Sequence, residues 1–151
     1  MDAIALLKAD HDKVKGLLAD IEETTERAVK TRTELFATIK GELTVHEIIE
    51  EEIFYPELKA HPKAKDIVLE GYEEHHVVDE IMGELEATPV TDEQWGAKFK
   101  VMKENIEHHI EEEEGEMFKQ ARQVFSTDEL ESLGARMNEL KQLGQQVGAA
   151  D

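Results

Sequence analysis

Thr44–Pro56 reads Thr-Val-His-Glu-Ile-Ile-Glu-Glu-Glu-Ile-Phe-Tyr-Pro, and within it His46 and Glu50 interrupt an otherwise apolar stripe. Phe36, Ile39, Leu43, His46, Glu50 and Ile53 recur at alternating intervals of 3 and 4 residues, the period that keeps side chains on one helix face. An imidazole and a carboxylate one turn apart can bind a common ion. A carboxylate left unpaired on a buried face is costly, so this face calls for a compensating cation. A second stripe repeats the pattern, with Phe99, Met102 and Ile106 leading into His109 and Glu113. Two further histidines sit alone in apolar seams: His11 among Ile4, Leu7, Val14, Leu18 and Ile21, and His75 among Val68, Gly71, Val78, Met82 and Leu85.

These segments are copies of one another. A shift of 63 places Phe36 on Phe99, Ile39 on Met102, Leu43 on Ile106, His46 on His109, Glu50 on Glu113 and Tyr55 on Phe118. A shift of 64 places His11 on His75, Val14 on Val78, Leu18 on Met82 and Ile21 on Leu85. The chain therefore reads as two helix pairs, each with one seam histidine followed by a His-x-x-x-Glu turn. Two antiparallel pairs make an all-α, up-down-up-down four-helix bundle. Its core then gathers His11, His46, Glu50, His75, His109 and Glu113. Four imidazoles with two carboxylates suit a dinuclear site, the carboxylates bridging and the imidazoles capping two ions. The competing reading is a buried His–Glu hydrogen-bond network that fixes helix register, which is costly unless every member is satisfied.

The elements that must carry these residues can be placed from local signals. The first helix runs from about Asp2 into the mid-twenties. Thr31-Arg-Thr-Glu34 resembles a capping box opening the second, which ends between Pro56 and Pro62. The third spans about Lys63 to Glu86, and Thr91-Asp-Glu-Gln94 resembles a capping box for the fourth. Counted from these signals, His11 and His46 fall at one level along the bundle, while His75 and His109 match less well. Ser126-Thr-Asp-Glu129 caps a fifth helix with Leu130, Leu133, Met137 and Leu140 on its apolar side, and a loose tail is expected from Gly144. We expect residues 1–125 to form the bundle and 126–151 the extra C-terminal helix and tail.

Composition narrows the chemistry. At 151 residues the chain can bury a core without cross-links. It has no cysteine, so a metal must be held by histidine and carboxylates, which suits iron, manganese or zinc. A formal charge of −19 opposes binding to nucleic acid or an anionic membrane. No long apolar run or secretory signal stands out, and a cytoplasmic protein is expected.

The order His11, His46-x-x-x-Glu50-Glu51-x-x-Phe54-Tyr55-Pro56, His75, His109-x-x-x-Glu113-Glu114-x-x-Met117-Phe118 resembles the hemerythrin-like HHE cation-binding domain over about Asp2 to Phe118. The resemblance implies two iron ions with an oxo or hydroxo bridge, His11, His46, His75 and His109 as terminal ligands, and Glu50 and Glu113 as bridges. Other divalent metals are compatible with the same set. It implies a small oxidant as partner: hydrogen peroxide, oxygen or nitric oxide. Catalase-like peroxide decomposition is the reaction favoured, with no catalytic residue beyond the metal site. Iron storage, sensing or delivery, and oxygen binding without turnover, are the alternatives. Oxygen-carrying hemerythrins have a further histidine where this chain has Asp79, and a longer spacing than His109-x-x-x-Glu113.

Neighbouring residues have blander readings. His108-x-x-x-Glu112 competes with His109-x-x-x-Glu113 but breaks the 63-residue register. His76 is either an extra ligand or a solvated neighbour, the latter favoured, and His61, before Pro62, reads as a turn residue. Tyr55 and Tyr72 either reach the metals or simply pack, with packing the reading favoured, and Trp95 reads as a core anchor. Glu51, Glu52, Glu111, Glu112 and Glu114 read as a solvated face.

Overall fold

The computed structural model describes the backbone of residues 1–150 and the side chains of residues 1–146. Among them every element is helical. α1 (Ala3–Glu22) and α2 (Val29–Ile49) form the first antiparallel pair, and α2 passes through a π-helical turn, Glu50–Phe54, into the short α3 (Tyr55–Lys59). A single 3₁₀ turn, Pro62–Ala64, leads to α4 (Lys65–Glu86), which pairs with α5 (Glu93–Glu112). α5 passes through a second π-helical turn, Glu113–Met117, into α6 (Phe118–Val124), and α7 (Thr127–Ala150) closes the chain. This is the four-helix bundle that the repeat predicts, with the extra helix expected from the Ser126–Glu129 signal. Among the described residues no helix is long and apolar enough to cross a membrane.

Capping follows the sequence signals only in part. Asp2 caps α1, its side chain accepting from the Ala5 amide at 2.8 Å. The Ser126–Glu129 box is reciprocal, with bonds of 3.1 and 2.9 Å between each amide and the other's side chain. α5 begins one residue later than expected, with Asp92 accepting from the Gln94 amide at 2.8 Å. α2 begins earlier, at Val29, and Ala28 in the N-cap position offers no side-chain cap. Thr31 therefore lies inside the helix. The reason is Arg32, a buried guanidinium that donates to the Thr24 hydroxyl and carbonyl at 3.0 Å each and to the Val90 carbonyl at 2.8 Å. It also lies over the Trp95 ring, 4.6 Å from its centroid. One charged group thus ties two inter-helix connections to the core anchor, and this fixes where α2 starts. From the observed ends, His11 and His75 stand equally far before Glu22 and Glu86. His46 and His109 stand almost equally far after Val29 and Glu93. The expected height mismatch of the second pair disappears.

The core is divided. One apolar cluster holds Leu7, Ile49, Phe54, Tyr55, Leu58, Phe118 and Met137 with their neighbours; the other holds Leu18, Ile39, Leu43, Met82, Trp95, Phe99 and Ile106 with theirs. The histidines and glutamates of the two stripes form the layer between them. α7 packs on α1, α2 and the first π-helical turn, covering one side of this layer. It runs helical to Ala150, past the glycine where a loose tail is expected; Asp151 lies outside the described residues.

Gly134 permits that docking. A Cβ there would stand 2.4 Å from the Met1 carbonyl oxygen and 2.7 Å from the Asp2 carbonyl carbon, and backbone cannot give way as a flexible side chain can. Gly134→Ala should therefore lower stability by about 1–3 kcal/mol, read from the urea unfolding midpoint of the whole chain. An unchanged midpoint would show that the contact is not made.

Candidate metal centre

Each of the four seam histidines is held from behind and points its Nε2 forward. The Nδ1 atom of His11 lies 2.7 Å from Glu114 Oε2, that of His46 3.0 Å from Asp10 Oδ2, that of His75 3.1 Å from Glu51 Oε2 and that of His109 2.6 Å from Glu74 Oε1. A carboxylate behind an imidazole fixes the ring's orientation and directs the other nitrogen's lone pair forward. These outer acids obey the internal repeat. Asp10 and Glu74 immediately precede the seam histidines of α1 and α4 and serve the next helix, α2 and α5. Glu51 and Glu114 immediately follow the stripe glutamates and serve α4 and α1.

The forward nitrogens converge on Glu50 and Glu113. His46 and His75 place Nε2 at 3.0 and 3.1 Å from Glu50 Oε1. His11 Nε2 lies 3.1 Å from Glu113 Oε1, and His109 Nε2 lies 3.1 Å from Glu113 Oε2. Two groupings emerge, in each of which the ligand atoms lie within 4.8 Å of one another: Glu50, His75, His109 and Glu113, and His11, His46 and Glu113. Glu113 belongs to both, offering one oxygen to each side. All six expected residues are buried and come together here.

The packing leaves buried polar atoms of this layer unpaired. His46 Nε2, His109 Nε2 and Glu50 Oε2 are buried without a hydrogen-bond partner, although both nitrogens lie within 3.1 Å of carboxylate oxygens. Close approach without hydrogen-bond alignment is what lone pairs directed at a common point produce. The donor set, imidazole nitrogen and carboxylate oxygen only, fits a divalent metal pair. Without one, protons must supply the positive charge. Burial lowers the His46 pKa, but Glu50 beside it, together with Asp10 and Glu113, outweighs this and raises it to about 10. Burial likewise opposes charge on His109, yet Glu113 and Glu74 hold it well above the usual range. Burial would raise Glu113, but His109, Glu50 and His11 keep it well below the usual carboxylate range.

Tyr55 corrects an expectation. Rather than only packing, its hydroxyl donates to Glu113 Oε2 at 2.7 Å and lies 3.4 Å from His75 Nε2, with the ring stacked on His75 at 5.3 Å. The π-helical turn brings it there. The Tyr55 amide bonds to the Glu50 carbonyl five residues back, so one extra residue per turn swings Tyr55 onto the face of Glu50. Phe118 occupies the same place after Glu113 and stacks on His11 at 6.0 Å, with no hydroxyl. Gly71 makes the space, since a Cβ there would stand 2.9 Å from the tyrosine oxygen.

Other candidates fall outside. His108 is 63% exposed and paired loosely with Glu112 and Glu74 at 3.4 and 3.8 Å, so the shifted His-x-x-x-Glu register is not the inner one. His76 is equally exposed and meets only Glu80 at 3.1 Å. His61 packs edge-on to Phe125, Tyr72 packs on Tyr55, and Trp95 is a buried anchor between Phe36 and Phe99. Asp79 is exposed and lies beside the buried Glu47, whose pKa burial and Asp79 together raise to about 9. Glu52 and Glu111 are exposed as expected, whereas Glu51 and Glu114 are not simply a solvated face. The sequence carried a signal for these two and for Asp10 and Glu74: each is an acid adjacent to a repeated stripe residue and recurs at the repeat interval.

Comparison with known proteins agrees with this geometry. The family model of the hemerythrin HHE cation-binding domain matches residues 2–121. Proteins of Mycobacterium tuberculosis (Rv2633c) and Mycobacterium bovis (Mb2666c) are each 31% identical over 138 residues, 91% of this chain and 83% of theirs. The crystal structure of the Rv2633c homolog from Mycobacterium kansasii, described as an HHE cation-binding domain-containing protein, superposes with a TM-score of 0.87 at 28% identity. It covers 99% of this chain and 91% of its own. A buried, duplicated His/Glu layer in a four-helix bundle, matched by the family model over most of its length, places this chain in the hemerythrin HHE cation-binding family.

Proposed function

We propose that the chain is a di-iron protein that binds and reduces a small oxidant, hydrogen peroxide ahead of oxygen or nitric oxide, with catalase-like decomposition as the reaction. The observation that carries this reading is the pair of ligand groupings joined through Glu113. His11 and His46 would hold one ion, His75 and His109 the other, with Glu50 and Glu113 bridging and the Tyr55 oxygen adjoining the second ion. Two irons, when bound, supply reversible one-electron changes at adjacent centres. In catalase-like turnover one peroxide gains two electrons and two protons to give water, and a second loses the same number to give oxygen.

The protein's own part is to exclude, orient and hold protons. A cavity of about 20 Å³ adjoins the four imidazoles, walled by Val14, Leu43, Ile106, Ile110 and Glu47. It has room for about one water-sized molecule, which suits a diatomic or peroxide and rejects larger substrates. Ile110 separates it from a surface groove of about 700 Å³ between α1 and α5. Glu47 is the one acid on the cavity wall; with its pKa near 9 it keeps a proton at neutral pH and connects the wall to exposed Asp79. Tyr55 holds a second proton against Glu113. Burial of all six ligands favours a resident ion over an exchangeable cargo, which counts against storage or delivery. The acidic surface opposes nucleic acid and anionic lipid, in keeping with a cytoplasmic enzyme.

Purified protein should contain two irons per chain, and Glu113→Ala should lose most of both because both ions share that residue; full retention would refute the bridging role. The iron-loaded protein should evolve oxygen from peroxide and lose this with His46→Ala. Iron retention with a reversible oxygen spectrum and no turnover would mark carriage instead.

Metal-free protein should also show a defined pH dependence. The His46 pKa is raised from 6.5 to about 10, so its stabilisation is complete below about pH 6.5 and disappears as pH rises to about 10. Glu47, raised from 4.5 to about 9, acts in the same direction. The thermal midpoint of the chelated protein should fall steadily over that alkaline range, and bound iron, replacing the protons, should flatten the slope. A midpoint independent of pH in the chelated form would contradict the charge assignment.

A further inference from the structure

The outer ring of carboxylates is duplicated, but its surroundings are not. Asp10 holds His46 with Oδ2 at 3.0 Å and is ion-paired through Oδ1 with Lys141 of α7. Its repeat partner Glu74, which holds His109, instead faces Glu112 and His108. Among the described residues, Lys141 is the one lysine or arginine ion-paired with any of the two inner or four outer carboxylates. Among the described residues α7 packs chiefly on α1, α2 and the first π-helical turn. It also lies beyond the residues matched by the family model, which ends at 121.

We propose that α7 is a working part of the metal centre and that Lys141 is a positioning residue. By fixing one oxygen of Asp10, it orients the other toward His46 and makes the ion position of His11 and His46 inequivalent to that of His75 and His109. The physical basis is the rigidity of the chain of contacts. Asp10 is 4% exposed and Lys141 22%, so the ammonium enters from the rim and pins a carboxylate that water does not reach. A carboxylate with one oxygen held has a single orientation in which to meet the imidazole; released, it can rotate and leave the ring free to turn. Glu74 has no such anchor and 24% exposure, so the second position is the more adaptable. The argument rests on the dinuclear reading above.

Zinc(II) titration with a chromophoric competitor tests this with a ligand probe that needs no turnover, and iron(II) titration under anaerobic conditions runs beside it. Wild-type protein should take up two zinc ions in unequal steps. Lys141→Met keeps the apolar stem and should weaken one step by about tenfold while leaving the other unchanged; Lys141→Arg should restore it. Asp10→Asn should weaken the same step, which guards against a Lys141→Met chain that folds poorly. Unchanged binding, tighter binding from removal of a positive charge, or equal weakening of both steps would each overturn the role of Lys141. Zinc steps that behave as expected in a protein that takes up no iron would leave Lys141 in place and refute the iron reading. A wild type that binds neither ion refutes both.

Discussion

Two carboxylates buried at mid-height in a helical bundle set the terms for everything else in this protein. Glu50 and Glu113 are 0% and 1% exposed, and in that setting an uncompensated negative charge would cost more than most single interactions return. The four imidazoles face them, four further carboxylates pin the imidazoles, and the two π-helical turns begin at the glutamates themselves. Compensation must come from cations that share the layer: protons on the imidazoles or metal ions between them. The family to which the chain belongs binds cations, and the ligand geometry is consistent with that.

Much of the inner layer was legible because it contradicts its background. A histidine or glutamate on a stripe of leucine, isoleucine and phenylalanine is conspicuous, and its recurrence after 63 or 64 residues makes the arrangement readable. The outer carboxylates lack this contrast. In a chain with 36 acidic residues, an aspartate before a histidine or a glutamate after a glutamate is unremarkable until the neighbouring helix is in view. Tyr55 was left between packing and the metal site for a different reason: a fixed helical period cannot anticipate the added residue of a π-helical turn. The start of α2 was misplaced because a local capping pattern at Thr31 lost to Arg32, whose partners lie in two distant connections.

Duplication supplies the ligands in pairs, but the paired positions are not chemically alike. After the first stripe the chain carries a tyrosine and after the second a phenylalanine, so a hydroxyl adjoins one side of the layer and a phenyl ring the other. α7 packs chiefly against α1 and α2. A repeat that is inexact in these few atoms gives a cage with two different environments inside it.

The division of the core has a mechanical consequence. A four-helix bundle usually owes its cooperativity to apolar contact running unbroken along its length. Here two short cores stand in series, joined through a layer whose cohesion is ionic rather than apolar. Helices that cross such a joint are continuous in backbone but change their packing partners and, at Glu50 and Glu113, their winding. The ionic layer therefore acts as the coupling between two domes of the same bundle. Its cohesion depends on the charge that occupies it, whereas that of the two apolar cores on either side does not.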